Sequence, residues 1–413
     1  MRVLSSWLHD FLDAPVASEA MAAAFDDLGT PVEEETRLGE GLDGIVVAEV
    51  LALKSHPNAD KIQVVDVDAG DGEALQICCG AFNMAVGDKV PLATLGTTMP
   101  SGMRIERRKL RGEWSNGMLC SSQEIGLGDD HDGIKILDGS LHPGSPLTEA
   151  LGIEPDVLWD LEVNPNRPDA MSVAGLARDV AAKVGVGFRL PTPPAGAASI
   201  GDTVTWGANG PGGRSRAALS DIGEFAVDVA APDGCGRFLA RVLRDVDCTA
   251  ESPRWLKARL AALGMRPISA LVDISNYVML ELGQPSHPYD LAKVAGATLR
   301  VRRASERETL VTLDDVERTF TPDDLLITDG DDNPVGVAGV MGGASCEISG
   351  TTTDVLLEMA WFDPTSVSRS SRRLGLRSEA SARFEKGVDP AGSDLAADRF
   401  CQLAAEICGA VTE

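Results

Sequence analysis

Residues 45–54 read IVVAEVLALK, and three similar runs follow: IQVVDVDAG (62–70), LQICCGA (75–81) and KVPLATLG (89–96). The runs are short, rich in β-branched residues and separated by Gly, Asp and Asn, which is the pattern of β-strands joined by tight turns. Over residues 44–137 this pattern predicts a small closed barrel or sandwich.

Helical patterns flank the barrel-like region. Residues 1–39 look mainly helical, and residues 166–185 read NRPDAMSVAGLARDVAAKVG, with apolar residues at helical spacing. Asp169 and Ser172 are candidate caps for this helix, and Gly185 is a candidate stop. Helical segments are therefore predicted on both sides of the barrel-like region.

A larger α+β domain is predicted further along the chain. A Pro/Gly/Ala-rich stretch predicts a linker over residues 191–213, and the domain then extends over residues 214–390. Its strand candidates are RFLARVLRDV (237–246), ATLRVRRAS (297–305) and DVLLEMAWF (354–362), and SPRWLKARLAALG (252–264) predicts a helix capped by Ser252. Residues 391–413 contain a final helix from Ser393 to about Cys408, so the predicted fold class is multidomain α+β.

Composition and charge restrict the possible functions. The formal net charge is −26, so the molecule as a whole repels nucleic acid, and binding to nucleic acid needs local basic patches. Hydrophobic residues make up 44% and charged residues 24%, as in soluble globular proteins. Without a signal peptide or a run of about 18 apolar residues, we expect a cytoplasmic protein. The eight cysteines include no CxxC pair, so we expect reduced, mostly buried thiols and no metal site.

Two basic clusters break the acidic background. One lies in the barrel-like region, and the other is predicted on a helix that begins at Asp363 and Pro364. Each cluster alone is compatible with a solvated charged face, but two of them favour a polyanion with two contact points. Small barrels also often bind oligonucleotides. The predicted contacts are Arg104, Arg107, Arg108, Lys109 and Arg111 in the first cluster, and Arg369, Arg372 and Arg373 in the second.

A few polar side chains occur where burial makes them costly. Glu358 lies inside the apolar run VLLEMAWF, so it either pairs with an arginine or waits for a donor from a ligand. Ser275 and Asn276 interrupt an apolar helical stretch and are either satisfied core groups or site residues. His287 lies between Pro285 and Pro288, which excludes a helix interior or a central strand and leaves a stiff corner or a catalytic group.

The motifs in their order resemble a known family. The segments HPNADKIQVVDVDAG (56–70), ICCGAFN (77–83), KLRGEWSNGMLCS (109–121) and EIGL (124–127) resemble the tRNA-binding OB-fold domain of several tRNA-synthetase subunits. The segments NPNRPDAMSVAGLARDVAA (164–182), ALVDISNYVMLELGQPSHPYD (270–290), GVMGG (339–343) and SEASARFEKGVDP (378–390) resemble the bacterial phenylalanyl-tRNA synthetase β subunit. The resemblance covers nearly the whole chain.

This resemblance implies a small N-terminal α+β domain, made of residues 1–39 and 151–190, that is interrupted by an OB-fold domain at residues 40–150 that binds tRNA. It also implies an editing domain, residues 214–390, that hydrolyses tyrosine wrongly attached to the phenylalanine tRNA. It implies catalytic roles for His287, Glu358, Ser378 and Asn276, and substrate contacts from Arg266, Ser275, Pro285, Ala338, Gly339 and Ala380. The family often has Met-His-Ala-Phe where this chain has Ser-His-Pro-Tyr at residues 286–289. We expect Glu358 to accept the tyrosine hydroxyl, His287 to orient the attacking water, and the glycine-rich turn to offer N–H groups.

The resemblance also implies partners. Aminoacylation, with ATP and Mg²⁺, would belong to an α2β2 assembly with the α subunit on tRNA(Phe), and no cofactor is expected on this chain. The family's β subunit continues into a C-terminal half beyond residues 391–413. A second hypothesis is a non-catalytic tRNA-binding module with an inactive pocket. A nucleotide-dependent enzyme is disfavoured, because GVAGVMGG (336–343) lacks the dinucleotide-binding spacing and no P-loop lysine is present.

Overall fold

The computed structural model of the chain describes residues 1–127, 130–153, 155–193, 201–204, 213–219 and 222–413, with 201–204 described as backbone only. Its contacts divide the chain into two compact units. The larger contains Met1–Glu34 and Trp159–Glu413, and the smaller is Glu35–Leu158, inserted between them in chain order. Most of the predicted linker at residues 191–213 lies outside the described residues.

The N-terminal segment is less helical than its sequence suggests. Helices form where predicted, but a strand precedes them and another occupies the polar residues that follow, so the expectation of a mainly helical segment is only partly right. The elements are β1 (Arg2–Leu4), α1 (Ser5–His9), α2 (Ser18–Asp27) and β2 (Val32–Leu38).

The smaller unit is built around an antiparallel sheet in which both faces of one strand are buried. Its elements are β3 (Ile45–Ser55), β4 (Gln63–Asp68), β5 (Ala74–Cys79), β6 (Lys89–Ala93), β7 (Arg108–Leu110), β8 (Glu113–Ser115), β9 (Met118–Leu119) and α3 (Leu147–Leu151). The sheet order is β5-β4-β3-β6-β9, with β7 and β8 as a separate hairpin. Ile45 and Val47 pack into one apolar cluster and Ala48 and Val50 into another, as alternation along a strand requires. The four strands predicted at the quoted runs are confirmed.

The chain returns from the smaller unit through β10 (Asp156–Leu161), which forms a sheet of order β1-β10-β2. Helix α4 (Val173–Val184) follows. The Ser172 side chain accepts from the N–H of Gly175, and Gly185 adopts a left-handed conformation, so the cap at Ser172 and the stop at Gly185 are confirmed.

The rest of the larger unit consists of two sheets with helices around them. The elements are β11 (Gly201–Val204), β12 (Arg214–Leu219), β13 (Gly223–Val229), β14 (Cys235–Arg244), α5 (Arg254–Ala262), α6 (Ala270–Leu282), β15 (Ser286–Asp290), β16 (Thr298–Arg303), β17 (Thr309–Val311), β18 (Glu317–Thr319), β19 (Leu325–Thr328), β20 (Pro334–Val337), β21 (Met341–Gly342), β22 (Val355–Phe362), α7 (Pro364–Leu374), α8 (Glu379–Phe384), α9 (Ser393–Cys408) and β23 (Val411–Thr412). Sheet A has the order β11-β14-β22-β15, with β23 also on β14, and sheet B has the order β12-β13-β16-β19-β20-β21.

A continuous apolar core lies between the two sheets. Alternate residues of the sheet A strands, such as Phe238 and Ala240 on β14 and Leu356 and Ala360 on β22, pack with β13, β16 and β19 of sheet B. On β14, the intervening side chains Arg237 and Arg241 instead pair with Asp394 and Asp398 of α9. Period-two alternation therefore gives sheet A an apolar face toward sheet B and a charged contact with α9.

Two local predictions in this unit are wrong. Ser252 does not cap α5; its hydroxyl donates to Asp273 Oδ2 at 2.5 Å, which satisfies a buried carboxylate at the start of α6. The basic run that was predicted on one helix is also divided: Arg369, Arg372 and Arg373 lie on α7, but Gly375 ends that helix in a left-handed conformation. Arg377, Arg383 and Lys386 therefore lie beyond α7, and Ser378 caps the next helix, α8. The Asp363 cap at the start of α7 is confirmed, since its side chain accepts from the N–H of Ser366.

Among the described residues, no helix combines the length and the apolar character that crossing a membrane requires.

Candidate functional site

The candidate site begins with a strand pair at the end of sheet A. Strand β15 pairs antiparallel with β22, and the register places His287 opposite Glu358. Directly opposed residues in such a pair project from the same face, so both side chains point toward sheet B. Strand β15 ends the sheet order, which is the position where a strand tolerates a proline such as Pro288.

Glu358 is a buried carboxylate without a basic partner. It is 6% exposed and lies between Leu356 and Ala360 of β22, both fully buried. No described lysine, arginine or histidine forms an ion pair with it, so the alternative of an arginine pair is wrong. Burial raises the pKa of Glu358 to about 7, because the apolar surroundings disfavour its charged form.

Tyr289 supplies the hydrogen bond that Glu358 does receive. Its hydroxyl donates to Glu358 Oε2 at 2.5 Å, and both side chains are buried. This bond lowers the pKa of Glu358, although less than burial raises it, since the donor favours the carboxylate. Burial, followed by the charge of Glu358, raises the pKa of Tyr289 well above its usual value, so the phenol keeps its proton.

His287 has an unpartnered ring nitrogen. Its Nε2 atom is buried and has no hydrogen-bond partner among the described residues. The ring packs edge-on against that of Tyr289, with centroids 4.4 Å apart and an interplanar angle of 76°. Burial lowers the pKa of His287 to about 4, so the imidazole is neutral at physiological pH.

The turn between β20 and β21 covers this histidine. A Cβ at Gly342 would lie 2.3 Å from His287 Cε1, so the backbone approaches the ring as closely as glycine alone permits. Ala338 and Val340 donate their N–H groups to the carbonyls of Leu325 and Val337, so those amides are already engaged. The N–H of Gly339 donates to no described backbone carbonyl.

Two cavities share Ser286 and His287. The smaller, of about 70 Å³, has Glu358 in its wall, and the larger cleft has about 360 Å³. Of the predicted site residues, the smaller cavity contains Pro285, His287, Gly339, Glu358 and Ala380, and the larger contains Ser275, Asn276 and His287. Among the described residues, no group of three or more His, Cys, Asp or Glu side chains is placed to hold a metal ion.

The other predicted residues have different surroundings. Arg266 is exposed and lines neither cavity, and Ala338 is buried behind the turn. Ser378 also lies outside both linings, because its hydroxyl caps α8 through the N–H of Ser381 and donates to Val340 O at 2.9 Å. Ser378 therefore anchors the turn beside Gly339.

The structure pairs Ser275 and leaves Asn276 open to the larger cleft. The Ser275 hydroxyl donates to Ser286 O at 3.0 Å and lies 2.9 Å from Ser286 Oγ, which ties α6 to the start of β15. Asn276 is half-buried, and its side chain makes no hydrogen bond to the described residues. Of the two, Asn276 is therefore the group free to bind a ligand.

The first basic cluster follows an exposed stretch of the smaller unit: Arg108, Lys109 and Arg111 lie on the β7–β8 hairpin, and Arg104 and Arg107 precede it. All five of its predicted contacts are exposed, and none forms an ion pair with a described residue. The guanidinium of Arg107 lies 4.5 Å from the ring centroid of Trp114, which is 41% exposed. His56 Nε2 lies 3.0 Å from Leu110 O, and Asn58 Nδ2 donates to Arg111 O, so the segment around His56 holds the hairpin in place.

The second cluster is partly structural. Arg369 and Arg372 are exposed, while Arg373 forms an ion pair with the buried Asp324. Arg383, which belongs to the same sequence run, is buried and donates to Glu379 and to Met171 O. A run of arginines in sequence is therefore divided here between surface and core.

Tyr289 and Gly342 are among the residues of the smaller cavity that sequence reasoning missed. Tyr289 lies two positions after His287, so strand alternation would have placed both on one face once β15 was assigned as a strand. For Gly342 the signal was weaker, since several glycines occur in the same turn.

Comparisons with known proteins match a segment in each of the two units. A family described as "Putative tRNA binding domain" matches residues 45–146, and a family described as "B3/4 domain" matches residues 234–409. A phenylalanine–tRNA ligase beta subunit from Anaeromyxobacter dehalogenans is 47% identical over 409 residues, covering 99% of this chain. One from Salinibacter ruber is 43% identical over 423 residues, again covering 99% of the chain. The chain belongs to the family of bacterial phenylalanine–tRNA ligase beta subunits.

Within that family the chain corresponds to the N-terminal region. It spans about half the length of the curated relatives it matches, with 48% of each of these two beta subunits covered. The B3/4 family match includes β15, β22 and the turn over His287, so both cavities of this beta-subunit region lie within it.

Proposed function

We propose that this chain is the tRNA-binding and editing part of a phenylalanine–tRNA ligase beta subunit, and that it hydrolyses tyrosine wrongly attached to tRNA(Phe). The observation that carries the proposal is the unpartnered Nε2 of His287, which lies on the strand opposite Glu358 at the junction of two cavities. The smaller cavity takes the tyrosine side chain. The larger cleft, with Asn276 in its wall, takes the nucleoside that carries the ester.

Glu358 provides the discrimination. A phenol can donate a hydrogen bond to its carboxylate, whereas phenylalanine leaves the buried group without that bond, and an unmade buried bond is costly. Glu358 Oε1 accepts no hydrogen bond from a described side chain, so it is the oxygen offered to the substrate.

His287 positions the water that attacks the ester. A pKa of about 4 makes the imidazole a poor base at pH 7, but its neutral Nε2 can hold a water by one hydrogen bond. The free N–H of Gly339 stabilises the developing oxyanion, and Ser378 keeps that turn in place through Val340 O. The structure therefore supports orientation of water by His287 over proton abstraction.

The smaller unit binds the tRNA, and we propose that its sheet is an OB fold. The exposed hairpin with Arg107, Arg108 and Lys109 contacts phosphates, since no described carboxylate neutralises these side chains. Arg104 and Arg111 extend the same surface. Arg369 and Arg372 form a second contact, and Arg373 contributes less because Asp324 holds it.

The complete ligase needs more than this chain. We propose that aminoacylation, with its ATP and Mg²⁺, takes place on an α subunit within an α2β2 assembly in the cytoplasm. No cofactor takes part in the editing step proposed for this chain.

The test is turnover of mischarged tRNA. The chain should release tyrosine from tyrosyl-tRNA(Phe) much faster than phenylalanine from phenylalanyl-tRNA(Phe), and His287→Ala should lower the rate by roughly a hundredfold, as loss of a water-positioning group implies. His131→Ala, at an exposed histidine of the smaller unit, is the matched control. Full activity of His287→Ala would refute the assignment.

The alternative is a tRNA-binding module with an inactive pocket. One observation favours it, because the Tyr289 hydroxyl already occupies one oxygen of Glu358. Binding of tRNA without release of tyrosine would establish this alternative.

A further inference from the structure

The buried residue that the proposed hydrolysis leaves without a role is Tyr289. It is one of two tyrosines in 413 residues, and it lies in a cavity whose proposed substrate is itself a tyrosine. Its hydroxyl donates to Glu358 Oε2, and its ring packs against His287. Tyr289 thus contacts both groups on which the proposed discrimination and hydrolysis depend.

The geometry gives the two oxygens of Glu358 different partners. Oε2 accepts from the internal phenol, whereas Oε1 has no described donor. An ionised carboxylate has about four acceptor sites, so it can accept from two phenols at once. A protonated carboxyl with Oε2 accepting from Tyr289 carries its proton on Oε1 and presents a donor there.

The other titratable neighbours of Glu358 do not stabilise its ionised form. His287 lies opposite Glu358 on β15, and its Nε2 is unpartnered. Cys235 on β14 is buried, and burial together with the charge of Glu358 raises the pKa of its thiol. Neither contributes a positive charge. The Tyr289 hydroxyl is the described group that favours the ionised form of Glu358.

We propose that Tyr289 is a specificity-determining positioning residue, whose hydroxyl fixes Glu358 so that Oε1 accepts the phenol of the bound tyrosyl group. The inference rests on the proposed function and deepens it. The internal phenol and the substrate phenol share one carboxylate, and the internal one is not displaced. Replacement by phenylalanine leaves the cavity shape nearly unchanged and removes this orientation.

The experiment uses the full chain and two non-hydrolysable probes, L-tyrosinamide and L-phenylalaninamide, with binding measured by calorimetry. We expect the wild-type chain to prefer tyrosinamide, and Tyr289→Phe to weaken tyrosinamide binding about tenfold, as expected for loss of a bond to a charged group, with phenylalaninamide unchanged. The matched control is Tyr277→Phe, which removes the other tyrosine hydroxyl, bonded to Arg259 rather than to Glu358. It should leave both affinities unaltered.

A pH series separates positioning from a purely structural role. The ratio of the two affinities cancels the ionisation of the probes' amino groups and reports on Glu358 alone. This preference for tyrosinamide should fall as the pH drops and Glu358 becomes protonated. In Tyr289→Phe the midpoint should move to higher pH, because the bond that lowers the pKa of Glu358 is gone.

A second measurement does not depend on the variant. With ¹³C-labelled tyrosine incorporated, the Cζ resonance of Tyr289 should keep its hydrogen-bonded position when tyrosinamide binds, with Tyr277 as the internal reference. Movement to a free phenol position, or unchanged or tighter tyrosinamide binding by Tyr289→Phe, would overturn the proposal. If the wild-type chain shows no preference for tyrosinamide, both this proposal and the phenol-binding role of Glu358 fail. If the wild-type chain prefers tyrosinamide and Tyr289→Phe shows the same preference, the proposed editing function stands and the inference about Tyr289 fails.

Discussion

Replacement of Glu358 by glutamine should stabilise the larger unit at alkaline pH while abolishing selectivity for tyrosine. In the folded chain, burial raises the pKa of Glu358 from 4.5 to about 7. Between these values the folded state holds a proton that the unfolded state has lost, so the free energy of unfolding falls as the pH rises. The penalty remains in full above the folded pKa. Glutamine has nearly the same shape, can accept from Tyr289 and carries no charge at any pH.

The magnitude follows from the rise in pKa from 4.5 to about 7, which corresponds to about 3.5 kcal/mol at about 1.4 kcal/mol per unit. Part of this penalty is already present at pH 5, where the unfolded carboxyl is largely ionised. We therefore expect the stability difference between Glu358→Gln and the wild type to increase by about 2.5 kcal/mol from pH 5 to pH 8. Any pH-independent packing cost of the amide cancels from this comparison.

The assay is urea unfolding followed by tryptophan fluorescence, supported by hydrogen exchange at the amides of β22, since a two-unit chain need not unfold in one step. The matched control is Glu308→Gln. Hydrogen bonding to Arg302 lowers the pKa of Glu308 from 4.5, so the stability that this carboxylate contributes is present above pH 4.5 and is lost as the pH falls below it. The stability difference between Glu308→Gln and the wild type should therefore stay nearly constant from pH 5 to pH 8. About one pKa unit corresponds to 1.4 kcal/mol, so a change of less than about 0.5 kcal/mol implies a pKa shift of well under one unit. If the stability difference between Glu358→Gln and the wild type increases by less than that from pH 5 to pH 8, or decreases, Glu358 is not a desolvated acid.

Three further predictions concern His287 and the hairpin proposed to bind tRNA. Gly342→Ala puts a Cβ 2.3 Å from His287 Cε1, so tyrosyl-tRNA hydrolysis should fall at least about tenfold. The control is Gly392→Ala, whose Cβ would lie 3.7 Å from Asp389, and this variant should remain active. The pH–rate profile should have no limb near pH 6.5 from His287, whose pKa is about 4, and a limb at pH 6.5 that persists in Glu358→Gln would contradict this. Replacing Arg107, Arg108 and Lys109 by glutamine should reduce the slope of log affinity for tRNA against log salt by about one for each phosphate that the variant no longer neutralises, measured by filter binding. An unchanged slope would place the tRNA elsewhere.

Local signals in the sequence were sufficient for much of the fold. Short runs rich in β-branched residues and ended by Gly, Asp or Asn identified β3, β4, β5 and β6, because strand residues and turn residues differ in local chemistry. A cap and a stop residue placed α4, and the end of α9 at Cys408 was also predicted, since helix-ending signals are local. The pairing of β15 with β22 was not accessible in this way, because register depends on residues that are distant in sequence.

The candidate site shows the same division. Glu358 could be identified as a candidate because it is a charged residue within an apolar run, and His287 because it lies between two prolines. Single candidate positions were therefore predictable from the sequence. Ser252 was predicted to cap a helix, but its hydroxyl bonds to Asp273 of α6. Arg373 was predicted to contact tRNA, but it pairs with Asp324. Neither partner is close in sequence, so neither contact could be predicted from it. The bond between Tyr289 and Glu358 depends on two strands meeting and has no local signature.

The order β1-β10-β2 has a consequence for how this protein is assembled. The chain leaves the larger unit after β2 has begun and returns along β10, and these two strands are hydrogen-bonded neighbours. Departure and return points therefore lie one strand spacing apart, about 5 Å. The smaller unit is therefore an insertion between two hydrogen-bonded strands of one sheet. A change in the number of residues between β2 and β10 leaves both ends of the insertion where this sheet holds them.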